Sequence, residues 1–429
     1  ERHVRTLLKQ AQDAGWLEWH AQSGRGKRGQ LRFLVTPDSL RNTMMEQALQ
    51  KGEQLSVLEL AQLAPGELRT LLQPFMGGQW QNDTPTLRIP YYRPLDPLHP
   101  GFLPGRAEQH LAGQVFSGLT RFDSTTQRPC GDLAHHWNIS ADGLHWDFYI
   151  RSTLHWHNGD TVSSSQLHQQ LLKLLELPAL NKLFISVKRI EVTHPQCLTF
   201  ILHRPDFWLA HRLASYSSHL AHPEHPFVGT GPFRLTLFTP ELVRIESHDH
   251  YHLSHPLLKA IEYWITPQLF SQDLGTSCRH PVQIAIGKPE ELPMLSQVSS
   301  GISLGFCYLT LRKSAHLNTQ QARRLINIIH RSSLLQTLEV DENLITPSNA
   351  LLPGWTIPQW DELDEVALPE KLTLAYHLPV ELHAMAEQLR QALALLGCEL
   401  TLIFHNAKNW DGDHPLAQAD LMMGDRLIG

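Results

Sequence analysis

Three groups of sequence features bear on the chemistry this chain can do. The first is a run of cations: Arg2, Arg5 and Lys9 recur along one stretch, and Arg25, Lys27 and Arg28 sit in the glycine-rich SGRGKRG (Ser23–Gly29). Guanidinium and ammonium groups neutralise phosphates, and arginine can also read guanine bidentately. The second is HDHYHLSH, where His248, His250 and His252, with His255 beyond, offer imidazoles of the kind zinc or nickel accepts. Alternation would put the first three on one face if that stretch were a strand. No carboxylate or cysteine spacing accompanies them, so no metal or other cofactor is expected. The third group is negative in content. There is no G-x-S-x-G, no H-E-x-x-H and no P-loop, since GTGPF (Gly229–Phe233) lacks the lysine and helix start that a phosphate loop requires. An enzyme is not expected.

Composition narrows the class. The 429 residues are 42% hydrophobic and 18% charged, enough for two or three domains with ordinary cores. No run of 18 apolar residues exists, so no membrane partner is expected. Cys130, Cys197, Cys278, Cys307 and Cys398 are odd in number and scattered, which favours a reducing compartment and a cytoplasmic protein. Residues 1–41 carry net +4 and the remainder −10. A basic end on an acidic body suggests a nucleic-acid-binding module joined to something else.

The elements that must position the cations follow from pattern. Val4, Leu7, Leu8 and Ala11 form an apolar stripe on a helix that Gly15 ends. Trp16–Trp19 and Leu31–Val35 then read as two strands around the basic tip. A helix followed by such a hairpin is the second half of a winged helix-turn-helix, with the helix for the major groove and the wing for the backbone. A solvated basic helix and hairpin fits the same residues. Residues 38–84 read as a helical connector, broken by Gly77-Gly78 and Asn82-Asp83-Thr84-Pro85.

The larger part is organised around GDLAHHWNISADGLHWDFYIRSTLHWHNGD (Gly131–Asp160). Leu144, Trp146, Phe148 and Ile150 alternate with polar residues as a half-buried strand, between the turn pairs Asp142-Gly143 and Asn158-Gly159. Leu154 and Trp156 continue the alternation as a second strand. Leu167, Leu171, Leu172 and Leu175 give a helix, with Ser163 to Ser165 able to cap it. The histidines around these aromatics, His135-His136 and His155/His157, are expected as polar neighbours of the core.

In element order and motif this stretch resembles the family 5 (peptide/nickel type) solute-binding proteins. QVFSGLTRFD (Gln114–Asp123) and VGTGPFRL (Val228–Leu235) stand where that family has its "GLT-x-D" strand and "GTGPY" turn. The basic end, RHVRTLLKQAQDAGWLEWHAQSGRGKRGQLRFL, resembles the SgrR family of transcription regulators, which join a winged helix to such a domain. The resemblance implies an α/β, two-lobed domain of the type II periplasmic-binding-protein kind over residues 85–429, C-terminally incomplete. It also implies a partial winged helix over residues 1–37. Its lobes would run from Thr86 to about Thr266 and from about Pro267 onward.

Function is implied in the same way. The chain would be a DNA-binding regulator contacting double-stranded DNA through Arg2, Arg5, Lys9, Arg25, Lys27 and Arg28. A small polar solute, sugar phosphate or peptide-like, would bind between the lobes. Tyr92, Arg93, Trp355 and Trp410 are candidates there, and Asp425 stands where the family's peptide binders hold an ammonium. The tryptophan of the family's "GW-x-x-D" is absent from MMGDRLIG (Met422–Gly429). The alternative is a substrate-binding protein of a peptide- or nickel-type ABC importer.

Overall fold

The computed structural model describes residues 2–20, 22, 28–62, 67–79, 84–101, 103, 105–269, 305–312, 316–332, 363–376, 380–404 and 419–427, with only the backbone of 2, 380, 381, 426 and 427. Two units result, Glu1–Gly77 and Gly78–Gly429.

In the first unit, helix α1 (Arg2–Asp13) ends at Gly15, whose φ of 74° is the left-handed conformation glycine takes without strain. Strands β1 (Leu17–His20) and β2 (Gln30–Phe33) pair antiparallel, Leu17 opposite Phe33. Gly29 is required here, because a Cβ would lie 2.5 Å from the Trp19 ring. Helices α2 (Pro37–Lys51), α3 (Gln54–Gln62) and α4 (Leu68–Leu72) follow. Thr36 caps α2 by accepting the Ser39 N–H, and Gly52 closes it. Met45, Ala48, Val57, Leu58, Ala61, Leu68 and Leu72 are buried. The α1 stripe forms but is not covered: Val4 and Leu7 are exposed, as are Leu31 and Phe33 on the hairpin.

The second unit opens after the short strand β3 (Gly77–Gln79) at the junction. Strand β4 (Thr86–Tyr91) leads through a proline-rich loop to helix α5 (Arg106–Val115). The hairpin β5 (Thr120–Asp123) and β6 (Arg128–Gly131) is followed by β7 (Ala134–Ile139), β8 (His145–Ile150), helix α6 (Ser164–Glu176), β9 (Val187–His194) and β10 (Cys197–Leu202). These last four strands form one antiparallel sheet in the order β7-β8-β10-β9. Trp146, Phe148 and Ile150 of β8 are buried, together with Leu167, Leu171 and Leu174 of α6. The i, i+4, i+7 set is thus Leu167-Leu171-Leu174, while Leu172 faces outward. A capping box between Ser163 and Gln166 fixes the start of α6.

The strand expected at Leu154–Trp156 does not form. Both side chains are buried, yet the backbone turns back at Asn158-Gly159 and only His155 bridges Thr161. Helix α7 (Leu209–Leu213) follows, and Asp206 holds the residues just before it in a turn by accepting the Trp208 N–H.

Strands β11 (Phe233–Phe238), β12 (Leu242–Ser247) and β13 (Ala260–Ile265) build a second sheet in which β13 runs parallel to β4. Inside it lies the carboxylate of Glu262. It accepts from Arg88 Nε at 2.9 Å and Trp264 Nε1 at 2.8 Å, and it pairs with Arg244. Removing one partner of a buried charge cluster leaves the others uncompensated. Glu262→Ala is therefore expected to lower the unfolding free energy by about 3–5 kcal/mol in urea titrations. A change within 0.5 kcal/mol, ordinary for surface sites, would contradict the burial of this cluster.

The second lobe holds β14 (Gly305–Leu311), helix α8 (Thr319–Arg331), β15 (Lys371–Tyr376), helix α9 (Val380–Ala394), β16 (Glu399–Phe404) and β17 (Leu421–Leu427). Its sheet order is β14-β17-β15-β16, with β15 and β16 parallel and joined through α9. Leu372, Leu374, Leu389, Leu400, Leu421 and Met423 fill its core.

Candidate functional site

Of the six cations proposed for DNA, Arg5, Lys9 and Arg28 are exposed on α1 and beside the hairpin. Arg25 and Lys27 lie outside the described residues, and Arg2 is described by its backbone alone. Arg32, not anticipated, stands on β2 with Glu18 opposite at 3.9 Å.

In the second unit, Tyr92 and Arg93 follow β4. The Arg93 guanidinium is held bidentately by Glu108, at 2.7 and 3.0 Å, and donates to the Pro94 carbonyl at 2.8 Å. Burial works against both charges. The Arg93 bonds and the Asp96 N–H nevertheless hold the Glu108 carboxyl below its ordinary range, and Glu108 in turn raises Arg93. Arg93 thus braces the proline-rich loop against the first turn of α5. Gly105 permits the approach, since a Cβ there would fall 1.9 Å from Glu108 Oε2.

That turn also carries Arg106, whose Nη2 donates to Oδ2 of Asp425 on β17. Tyr92, Arg93 and Asp425 are therefore linked through α5. Trp355 and Trp410 lie outside the described residues. Arg106 and Glu108 were missed from sequence because isolated charges at a helix start carry no spacing signal. Glu108 in the first helical turn was the one available hint.

The histidines are placed around the GTGP turn. His157 accepts the Gly229 N–H at Nδ1 (3.2 Å) and donates from Nε2 to the Gly231 carbonyl (3.0 Å). Gly229 and Gly231 are glycines because the end of α5 passes within 2.1 and 2.4 Å of where a Cβ would stand. His248 is buried beside His157, ring centroids 4.7 Å apart, and His250 is near His155 at 5.2 Å. His252 turns away to Asp132, at 2.6 Å. HDHYHLSH is a loop, so the one-face arrangement does not arise. Among the described residues no group of three or more His, Cys, Asp or Glu side chains is placed to hold a metal.

Burial pushes the imidazoles of His157, His219 and His248 down to about 4; the Gly231 carbonyl opposes this at His157 and His248, and Asp132 opposes it at His219. In the unfolded chain they titrate near 6.5. The unfolded state then binds more protons between those limits, so stability is full above pH 6.5 and falls as pH drops toward 4. Each histidine contributes a slope of roughly 1.4 kcal/mol per pH unit. Denaturant titrations at pH 7.5 and 5 are expected to show this loss, and His157→Gln to remove about one proton from it. Equal stability at both values would refute the buried neutral imidazoles.

Two family descriptions match the chain. Residues 1–83 match "Sugar transport-related sRNA regulator N-term", and residues 128–272 match "Bacterial extracellular solute-binding proteins, family 5 Middle". The uncharacterized protein YbaE of Escherichia coli (strain K12) is 80% identical over 429 residues, which is all of this chain and 76% of YbaE. The HTH-type transcriptional regulator SgrR of Yersinia pseudotuberculosis serotype I (strain IP32953) is 30% identical, over 99% of this chain and 76% of that protein.

The chain belongs to the SgrR family. Its larger unit has the fold of the two-lobed periplasmic binding proteins. DppA from Helicobacter pylori, solved with peptide STSA, aligns at TM-score 0.64 and 15% identity, covering 80% of this chain and 78% of DppA. NikA from Brucella suis, solved with Fe(III)-EDTA, aligns at 0.56 and 18%, covering 80% and 79%. The SgrR relationship spans both units; the binding-protein likeness speaks for the fold of the second. No helix among the described residues is long and apolar enough to cross a membrane.

Proposed function

We propose that this SgrR-family chain is a cytoplasmic, DNA-binding transcription regulator whose two-lobed domain senses a small molecule. One observation carries the reading: relatedness to SgrR regulators runs through the whole chain, from the basic helix and hairpin to β17. An importer's binding protein would share the second unit without the first. The relatives are regulators and solute-binding proteins, which supports a role without turnover.

Arg5, Lys9 and Arg28, with Arg2, Arg25 and Lys27, supply the phosphate contacts. The solute is a small polar molecule, sugar phosphate-like or peptide-like, held between the lobes by groups that include Tyr92, Trp355 and Trp410, with Asp425 reached only when Arg106 releases it. Lobe closure on the solute biases the DNA-binding end between two arrangements, a population shift of a few kcal/mol. Fluorescence anisotropy of labelled duplex DNA with the full-length protein tests the DNA half. Binding that weakens steeply with salt supports it, and salt-insensitive or absent binding returns the importer reading.

A further inference from the structure

Among the described residues, the three larger apolar cores of the second unit each draw on one lobe. Those under the β7–β10 sheet and the β4–β13 sheet use residues from Leu95 to Tyr263, and the third uses Leu317 to Met423. Among the described residues, none of these cores spans both lobes. Among the described residues, α5 of the first lobe is joined to β17 of the second by the bond from Arg106 to Asp425, 319 residues apart.

The bond is built on rigid parts. Arg106 is the first residue of α5, in the turn that Glu108 ties to Arg93 and Asp96. Gln109 secures the same turn by donating to the Leu103 carbonyl at 2.6 Å. Asp425 lies inside the β14–β17 ladder, opposite Cys307. Its side chain is 12% exposed and that of Arg106 43%, so the carboxylate is largely removed from water while the cation keeps an open side.

We propose that Arg106 and Asp425 form an interlobe latch that holds the lobes together before any solute arrives. The pair neutralises the Asp425 carboxylate internally, so in the latched arrangement that carboxylate is engaged and does not take a ligand's ammonium. The latch refines the sensing role proposed above and rests on that role for its meaning. Its test uses neither DNA nor solute, so either idea can fail while the other stands.

Energy transfer between dyes on Lys188→Cys and Glu370→Cys, one exposed site in each lobe, reads the lobe separation in the full-length protein with Cys130, Cys278 and Cys307 changed to Ser. Each neutralising variant, Arg106→Gln or Asp425→Asn, should lower the closed-to-open ratio about three- to tenfold at low salt, the range of a partly exposed guanidinium–carboxylate pair. Raising salt to about 0.5 M should open the unaltered protein and leave the two variants unchanged. The reversed pair, Arg106→Asp with Asp425→Arg, should restore closure to within about twofold. If that double variant does not fold, Arg106→Lys serves instead and should stay closer to the unaltered protein than Arg106→Gln. Neutral variants with unaltered transfer, or a folded reversed pair as open as the single variants, would overturn the latch.

Discussion

Changing Arg25, Lys27 and Arg28 together to alanine is expected to weaken duplex DNA binding by the full-length protein about 10- to 100-fold at near-physiological salt. Each neutralised phosphate releases condensed counterions and contributes roughly 0.9 to the slope of log affinity against log salt. Three lost contacts should flatten that slope by about 2.7. The weakening should be similar on unrelated sequences, because phosphate contacts position a protein without specifying a base. Arg5→Ala on α1 should differ, since a helix lying in the major groove meets base edges as well as phosphates and so carries sequence preference. Anisotropy titrations at several salt concentrations measure all of this. An unaltered slope would remove the hairpin from DNA recognition.

The solute domain is expected to bind a small polar or anionic solute about 10- to 100-fold more tightly than di- to pentapeptides. A peptide's ammonium needs a carboxylate, and Asp425 already holds Arg106. One charge-assisted hydrogen bond is worth about 1.5–3 kcal/mol, which sets the size of the penalty. The missing tryptophan beside Asp425 removes packing for a peptide as well. Calorimetry with both ligand sets decides the matter. Micromolar peptide binding abolished by Asp425→Ala would show that the ammonium site is intact and the preference wrong.

Local order was legible in the sequence wherever a strict period or a turn pair expressed it. Strand β8 follows the alternation of Trp146, Phe148 and Ile150, and the start of α6 follows its serine cap. Leu154 and Trp156 misled because alternation records burial, and a tight turn can bury two residues without pairing a strand. Likewise Leu172 and Leu174 are both plausible on a leucine-rich helix, and only packing selects Leu174. The candidate site was harder to read. Arg93 has the chemistry of a ligand anchor, yet its charge is taken by Glu108, 15 residues on. The Arg106–Asp425 contact arises only once two lobes are folded, so no local pattern announces it. Histidine density announced something, and the structure sets one of those rings, half-buried His157, against the GTGP turn through two hydrogen bonds.

Regulation by a sensed solute requires coupling between the two units. Coupling is reciprocal: a solute that changes DNA affinity by some factor has its own affinity changed by DNA by the same factor. The most direct measurement is therefore DNA affinity of the full-length protein with and without a saturating solute already shown by calorimetry to bind. A shift of about 5- to 150-fold, matched by the shift in solute affinity when DNA is present, is the result expected of a sensing regulator. Salt-dependent DNA binding that stays the same at solute saturation would contradict it.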